Sequence, residues 1–384
     1  MDFELPEELK MLQEQLRRFV DKEIIPIERD AYEGPDMKPE VRARLSEMTK
    51  KMGLWHYGTP VEYGGQGLGM LARVIVWEQM GRTIALPTRR TQIFGPEPSY
   101  TLFMLNERQK QEYLLPVIRG EKKNCFAQTE PDAGGDPGSM RTTAVRDGDD
   151  YVINGYKRFI TAAKWADFAQ VIAVTDRKKG VHGGISAFLV DMNTPGVKIV
   201  RSQPTMMDDE PYEVAFDNVR VPAWKMIGAE GEGFKVGQTW ITAGRIRHGA
   251  RALGVMERCL EMGASYAKQR ITFVKPLSDR QAIQSMLVDS YVALQGLRLM
   301  VYQAAWKWDR GDDVRYDAYM VKMRGDRLSF ECADHCIQIH GGVGLTRELP
   351  IEKFWRDQRS MMITEGPEEI LKTVLARRVF DLYS

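Results

Sequence analysis

The chain has 384 residues, of which 43% are hydrophobic, and its 54 basic and 53 acidic residues give a formal net charge of +1. This balance excludes a global electrostatic attraction to nucleic acid or to an anionic membrane, and the hydrophobic share argues against disorder. The length suits about two or three domains. No stretch reaches the roughly 20 apolar residues of a membrane span. The acidic start "MDFELPEELKML" lacks the pattern of a signal peptide, so we expect a cytoplasmic protein with no membrane partner.

The four cysteines, Cys125, Cys259, Cys332 and Cys336, form neither a CxxC pair nor a disulfide framework. Cys332 and Cys336 would share one face of a helix with two histidines nearby, which leaves a metal site as an alternative. Zinc sites normally draw their ligands from two well-spaced pairs, and this segment has only one. We therefore expect reduced core cysteines and no metal.

The hydrophobic period of the chain changes twice. Apolar residues recur at helical spacing from Leu9 to Val20, and helical patterns continue up to residue 121. From residue 122, segments such as "FAQVIAVT" and "ISAFLVD" alternate with turn residues and predict an antiparallel β-domain. Helical patterns return over 233–269, 314–339 and 367–382. We expect a helical domain at 1–121, a middle β-domain at 122–227 and a helical bundle at 228–384.

A glycine-rich run, "YGGQGLGM", occupies residues 63–70. Such a run can cradle a phosphate, but this one follows no apolar strand and contains no GKS or GKT. A packed loop between helices is the preferred interpretation, and a nucleotide site is the alternative.

Two polar, turn-rich stretches interrupt the regular segments: "CFAQTEPDAGGDPGSM" from residue 125, and "QIHGGVGLTRELPIEKFWRD" from residue 338, which leads to "ITEGPEEI". Together with "INGYKRFIT" and "YAKQRITF", in this order, they resemble the acyl-CoA dehydrogenase family of flavoproteins along almost the whole chain. The resemblance implies an α+β fold with an N-terminal helical domain, a central antiparallel β-barrel-like domain and a C-terminal four-helix bundle.

The resemblance implies FAD as the cofactor and assigns residues to one edge and one face of the flavin. The edge would be lined by Phe126, Gln128 and Thr129, and the face would be covered by Phe159, Ile160 and Thr161 near N5. A reduced flavin anion needs hydrogen-bond donors, and backbone N–H groups with a threonine hydroxyl supply them without reorganisation.

A second group matches positions that clasp the FAD pyrophosphate and adenine from a neighbouring subunit in the family. Its members are Arg270, Thr272, Phe273, Gln338, Gly341 and Gly342. The arginine fork suits a diphosphate because it donates two parallel hydrogen bonds, and glycines let the backbone approach the cofactor. The match implies at least a dimer, and the usual family assembly is a homotetramer built as a dimer of dimers.

Glu365 lies just before a predicted helix and next to a glycine. Pro367, Glu368 and Glu369 fit ordinary helix-start chemistry, because the first turn of a helix favours proline and negative charge. At the position of Glu365, the family carries the base that removes the pro-R α-proton of an acyl-CoA thioester while the β-hydrogen leaves as hydride to flavin N5. The resemblance therefore assigns Glu365 as the catalytic base.

Some family members carry the base at a position that matches Gly244, which cannot serve. Arg245 matches an arginine near the catalytic carboxylate and is a candidate catalytic and substrate-binding residue, with a surface helix cation as the alternative. Proline at 367 stands where the family often has threonine, and glycine at 135 replaces a frequent serine. These departures indicate a divergent, bacterial-type member and leave the proton-transfer parts intact.

The resemblance implies α,β-dehydrogenation of an acyl-CoA in fatty or other carboxylic acid catabolism, with an electron-transfer flavoprotein as acceptor. An acyl-CoA oxidase or a flavin monooxygenase of the same fold is the alternative. A non-catalytic, DNA-associated member is a rival that the near-zero net charge disfavours, so we expect no nucleic-acid partner.

The acyl group itself is not defined by the motifs. Gly135, Trp240 and Arg245 are candidate substrate-binding residues, and a bulky Trp240 would shorten the acyl pocket. Arg89 and Arg90 are expected either to be solvated or to contact CoA phosphates, rather than to recognise a charged acyl tail.

Overall fold

The computed structural model of the protein describes residues 4–34, 36–85 and 92–384. The described helices are α1 (Glu7–Phe19), α2 (Pro39–Lys51), α3 (Met70–Met80), α4 (Tyr100–Phe103), α5 (Glu107–Gln109), α6 (Leu115–Ile118), α7 (Gly233–Gln269), α8 (Gln281–Asp309), α9 (Arg315–His340), α10 (Ile351–Met361) and α11 (Glu368–Tyr383). The described strands are β1 (Tyr32–Glu33), β2 (Asp36–Met37), β3 (Asn124–Ala127), β4 (Thr143–Asp147), β5 (Asp150–Ile160), β6 (Phe168–Val174), β7 (Ile185–Asp191), β8 (Val197–Ser202), β9 (Tyr212–Pro222), β10 (Met226–Ile227), β11 (Ile271–Thr272) and β12 (Lys275–Pro276).

The chain forms two compact units. The first contains Met1–Leu45, Gly67–Thr91 and Thr242–Ser384, and the second contains Ser46–Gln66 and Gln92–Ile241. The first unit therefore joins helices from both ends of the sequence, and the second holds the large sheet. The division of the sequence into 1–121, 122–227 and 228–384 stays a prediction.

The predicted α+β class, with helices before and after a middle sheet, is confirmed, but the barrel-like geometry is corrected. The strands follow the open path β10-β7-β6-β4-β5-β9-β8, so the sheet does not close. The sheet is also mixed, because β3 pairs with β6 in parallel, with Phe126 opposite Gln170. A second parallel contact joins Thr143 to Val174. The other ladders of this sheet are antiparallel, as expected.

Strand β6 is the centre of the second unit, because all seven of its residues are buried. Phe168 and Ile172 pack on one face with Leu102 and Tyr113 from the preceding helices. The intervening Val171 points to the other face and packs with residues of β5, β7 and β9. A strand covered on both sides reads as a continuous apolar run, which is the pattern of "FAQVIAVT".

Three long helices, α7, α9 and α11, begin and end within one residue of the predicted segments 233–269, 314–339 and 367–382. Glycines allow α7 and α9 to approach closely. A Cβ added to Gly325 of α9 would lie 3.0 Å from the Cα of Gly249 in α7. This close approach brings polar residues of the two helices within hydrogen-bonding range of each other.

Within the described residues, no helix is both long and apolar enough to cross a membrane, and no three His, Cys, Asp or Glu side chains are arranged to hold a metal ion. All four cysteines are buried and free. In the glycine-rich run, residues 64–69 form a loop that leads into α3 at Met70. The first N–H groups of α3, at Met70 and Leu71, donate to the carboxylate of Asp309, which leaves this helix start with a protein anion as its partner.

A buried ion pair supports the segment that follows β3. The Lys157 Nζ donates to the backbone carbonyl of Gln128 at 2.9 Å and to the carboxylate of Glu130 at 2.8 Å. Glu130 also accepts from the N–H groups of Arg141 and Thr142. Although burial alone would raise the pKa of Glu130, the charge and hydrogen bond of Lys157 hold it below its usual value. The pair therefore fixes the backbone at Gln128 against β5.

We expect Lys157→Met to lower the free energy of unfolding by about 3–5 kcal/mol, because it leaves the Glu130 carboxylate buried without its cation. Urea denaturation at pH 7 measures the change. The control is Arg119→Met, which breaks an exposed pair with Glu121 and is expected to cost at most about 1 kcal/mol. Equal losses in the two variants would contradict a stabilising role for the buried pair.

Candidate active site

Glu365 lies in a strained turn between α10 and α11. Its φ is +54° and that of Gly366 is +102°. A left-handed conformation at a non-glycine residue costs on the order of 1–3 kcal/mol and persists only where the surroundings enforce it. Here the Arg245 Nε donates to the Glu365 carbonyl at 2.9 Å, and the Lys322 Nζ donates to the Gly366 carbonyl at 2.7 Å. Two buried cations thus hold the turn by its backbone.

The Glu365 side chain is only 8% exposed, and charged groups surround its carboxylate. The Arg247 Nη2 lies 3.7 Å from Oε1, and the His248 Nε2 lies 3.8 Å from Oε2. Gly244 leaves room for the carboxylate, because a Cβ at this position would lie 2.7 Å from the Glu365 carboxyl carbon. The glycine that we predicted to be unable to act as the base is therefore the surface against which Glu365 packs.

The prediction that Glu365 precedes a helix is confirmed. Pro367 is the N-cap of α11 rather than its first residue, and Glu368 and Glu369 occupy the first turn. Glu368 pairs with Arg327 at 3.0 Å. The two later glutamates thus account for the helix start, and Glu365 is separate from it.

Arg245 is buried beneath the turn and contacts Glu365 through the backbone carbonyl. Its guanidinium lies over the ring of Tyr319 at 4.6 Å, and burial lowers its pKa. Its Nη1 is buried and has no hydrogen-bond partner within the part of the chain that the structure describes. The surface-cation alternative is therefore wrong, and the geometry makes Arg245 a clamp on the turn.

The residues predicted for the flavin edge and face lie in the second unit. Phe126 and Trp240 form a stacked pair with centroids 4.8 Å apart and planes 6° apart. Thr129 and Thr161 are half-buried residues, and neither hydroxyl is hydrogen-bonded to another described residue. Phe159 has a φ of +57° and is 50% exposed, so its ring is held toward solvent at a strained position.

These observations fit a flavin, because unpartnered hydroxyls and an outward-held aromatic ring offer donors and a flat apolar surface. The side chain of Gln128 is half-buried, and its Oε1 lies 2.9 Å from where a Cβ would stand on Gly237. Ile160 differs from its neighbours, because its side chain is 2% exposed and packs in the sheet core. Only the backbone of Ile160 is available to a ligand.

The second predicted FAD group lies in the first unit, around the β11–β12 hairpin and the end of α9. Arg270 and Gln338 are exposed, and Gly341 follows α9 with a φ of +62°. Phe273 at the hairpin tip is 92% exposed with a φ of +45°, and the Arg280 Nη2 donates to the Thr272 carbonyl at 2.6 Å. Exposed Gly342 completes the group. An exposed arginine and an open glycine turn are each suited to binding a diphosphate.

The remaining predicted residues are not brought into these groups. Gly135 is exposed in the loop after β3. Arg89 and Arg90 lie outside the described residues. The sequence interpretation missed Arg247, His248, Lys322 and Asp326. The signal for the first two was their spacing of three and four residues after Gly244, which puts them on the same face of a helix.

Comparison with known proteins identifies the family. The N-terminal, middle and C-terminal domain families of acyl-CoA dehydrogenase match residues 6–121, 125–219 and 231–380. The (R)-benzylsuccinyl-CoA dehydrogenase of Thauera aromatica is 35% identical over 394 residues, covering 99% of this chain and 97% of that protein.

Two solved structures agree with this match. The butyryl-CoA dehydrogenase of Megasphaera elsdenii has a TM-score of 0.86 at 29% identity, covering 99% of this chain and 100% of its own. A chain in the structure of the electron transferring flavoprotein of Acidaminococcus fermentans has a TM-score of 0.87 at 32% identity, covering 99% of both chains. The protein therefore belongs to the acyl-CoA dehydrogenase family and is an FAD-dependent oxidoreductase that acts on acyl-CoA.

Proposed function

We propose that Glu365 is the base that removes the α-proton during α,β-dehydrogenation of an acyl-CoA thioester. The observation that supports this role is a buried carboxylate in a left-handed turn, clamped through the backbone by Arg245 and Lys322. Such strain is retained where a side chain must be held in one position. When FAD is bound, it supplies the acceptor for the hydride that leaves Cβ.

The surroundings of Glu365 suit proton abstraction from a weak carbon acid. Bound substrate would remove the remaining solvent from a carboxylate that is already 8% exposed, and desolvation makes a carboxylate more basic. The Arg247 Nη2 lies 3.7 Å from the carboxylate, and a neighbouring cation favours the charged form of a carboxylate. The backbone N–H of Glu365 is proposed to polarise the thioester carbonyl as the proton leaves.

The proposed FAD contacts fall into the two groups described above. Phe126, Gln128, Thr129, Phe159, the backbone of Ile160 and Thr161 would bind the flavin of their own subunit. The groups around Arg270 and Gly341 would bind the pyrophosphate and adenine of the FAD in a neighbouring subunit.

A homotetramer built as a dimer of dimers is proposed as the assembly. Exposed apolar side chains support it, because soluble proteins rarely leave such patches uncovered. On α8 these include Val288, Tyr291 and Val292, and on α11 they include Phe380 and Leu382. Light scattering coupled to size-exclusion chromatography measures the state directly.

An electron-transfer flavoprotein is proposed to receive the electrons. A chain of the same fold occurs in the Acidaminococcus fermentans electron transferring flavoprotein structure, which supports this choice of acceptor.

The proposed function is tested by Glu365→Gln. This variant keeps the shape of the side chain and removes its basicity, so we expect FAD and acyl-CoA to bind while flavin reduction slows by at least about 100-fold. Anaerobic stopped-flow absorbance measures reduction. Glu369→Gln, an exposed change in the first turn of α11, is the control and should reduce at the native rate. Near-native reduction by Glu365→Gln would overturn the assignment.

Gly244→Ala tests the packing of the carboxylate. The added methyl group would occupy the space of the Glu365 carboxyl and turn it away, so we expect at least about a tenfold slower flavin reduction with little change in unfolding midpoint. Gly296→Ala in α8 meets nothing within 4 Å and serves as the control. If the flavin is reduced equally fast in Gly244→Ala and in Gly296→Ala, the packing of Glu365 against α7 is not needed for the reaction.

Trp240→Ala tests the acyl pocket. The stacked Phe126–Trp240 pair is a rigid wall, so its removal should favour longer acyl chains. We expect the ratio of kcat/KM for a longer over a shorter straight-chain acyl-CoA to rise about 10-fold or more, the scale of one to two methylene groups. An unchanged ratio would place the acyl chain elsewhere.

A further inference from the structure

A histidine and an aspartate form a second layer behind the Glu365 carboxylate. His248 of α7 lies one helical turn after Gly244 and presents Nε2 at 3.8 Å from Glu365 Oε2. Its other ring nitrogen, Nδ1, lies 3.1 Å and 3.2 Å from the two carboxylate oxygens of Asp326 on α9. The three side chains therefore lie in a row, with His248 hydrogen-bonded to Asp326 and close to Glu365.

This row of side chains is buried and its far end is anchored. The side chains of His248 and Asp326 are 4% and 3% exposed. Asp326 also pairs with the Lys322 Nζ at 3.1 Å, and the same ammonium group donates to the carbonyls of Gly366 and Met362. Lys322 thus fixes both the aspartate that holds His248 and the turn that carries Glu365.

The partners of the imidazole define its hydrogen positions. Asp326 forms a salt bridge with Lys322, and a carboxylate accepts hydrogen bonds, so this contact places the hydrogen of the neutral imidazole on Nδ1 of His248. In the neutral imidazole Nε2 is then an acceptor that faces a second acceptor, Oε2 of Glu365. At 3.8 Å the two atoms form no hydrogen bond in this structure, so a proton passes between them only when the side chains move closer.

Further charged groups near Glu365 lie on the same two helices, α7 and α9. Arg247 lies 3.7 Å from Oε1, and Arg245 bonds the Glu365 backbone while stacking on Tyr319 of α9. Lys322 and Asp326 of α9 lie behind them. Apart from the histidine, the groups named here are three cations and one carboxylate, and nearby cations favour the charged form of a carboxylate.

We propose that His248, held by Asp326, is the positioning residue that receives from Glu365 the proton taken from the substrate. The proposal rests on Glu365 acting as the base. The Cα–H bond breaks and an O–H bond forms on Glu365; this O–H bond then breaks and an N–H bond forms at Nε2. Glu365 returns to the carboxylate, and the imidazolium pairs with Asp326. His248 therefore keeps the base ionised without touching the substrate.

The test is the pH dependence of flavin reduction, followed by anaerobic stopped-flow with the acyl-CoA that bleaches the native enzyme. We expect the first added proton to go to His248 in the native enzyme, where the resulting cation would keep Glu365 ionised at lower pH. In His248→Gln this cation is lost. The acid limb, which is the fall in the rate of flavin reduction at low pH, should therefore move to higher pH by about one unit or more. Asp326→Asn should move it in the same direction by weakening the imidazolium.

The controls distinguish proton transfer to His248 from the proposed role of Glu365 as the base. His335→Gln changes a histidine of α9 that bonds Ser290 and should leave the acid limb in place. An unshifted acid limb in folded, FAD-containing His248→Gln and Asp326→Asn would overturn the proposal, and so would an equal shift in His335→Gln. If Glu365→Gln is inactive while these profiles are unshifted, the base assignment stands and only the transfer to His248 fails.

Discussion

The structure around the candidate base depends on one constraint, the clamping of the turn between α10 and α11 by its backbone carbonyls. Arg245 and Lys322 donate to consecutive carbonyls, those of Glu365 and Gly366, from two different helices. Without these donors the left-handed conformation of Glu365 would relax, because it costs free energy at a residue with a side chain. The close approach of α7 and α9 at Gly249 and Gly325 is what lets both cations reach the turn.

A buried ion pair orders the segment of the second unit that is proposed to bind the flavin. There the Lys157–Glu130 pair ties the Gln128 carbonyl to β5, the strand that ends at Ile160. The side chain of Ile160 is anchored in the sheet core, which leaves Phe159 outward and in a left-handed conformation. In both units a buried lysine thus holds a backbone carbonyl next to residues proposed to bind cofactor or substrate.

Much of the fold was predictable because hydrophobic periodicity is local. The helices α7, α9 and α11 begin and end within one residue of the predicted limits, and "FAQVIAVT" contains a strand buried on both faces. The open, mixed sheet was not predictable, because β3 and β6 are separated in sequence and their parallel pairing depends on long-range packing. The motifs of the family pointed to Glu365 and to the flavin segments, but the assigned role of each residue stays a proposal.

The sequence by itself determined the class of each segment, the order of the motifs and the family, since these depend on local pattern and residue identity. Only the tertiary structure decided that Arg245 contacts Glu365 through its backbone carbonyl and that Gly244 makes room for the carboxylate. It also decided that His248 meets Asp326, a residue 78 positions away. Contacts of this kind form between helices that pack together, and no local pattern records which side chains will face each other.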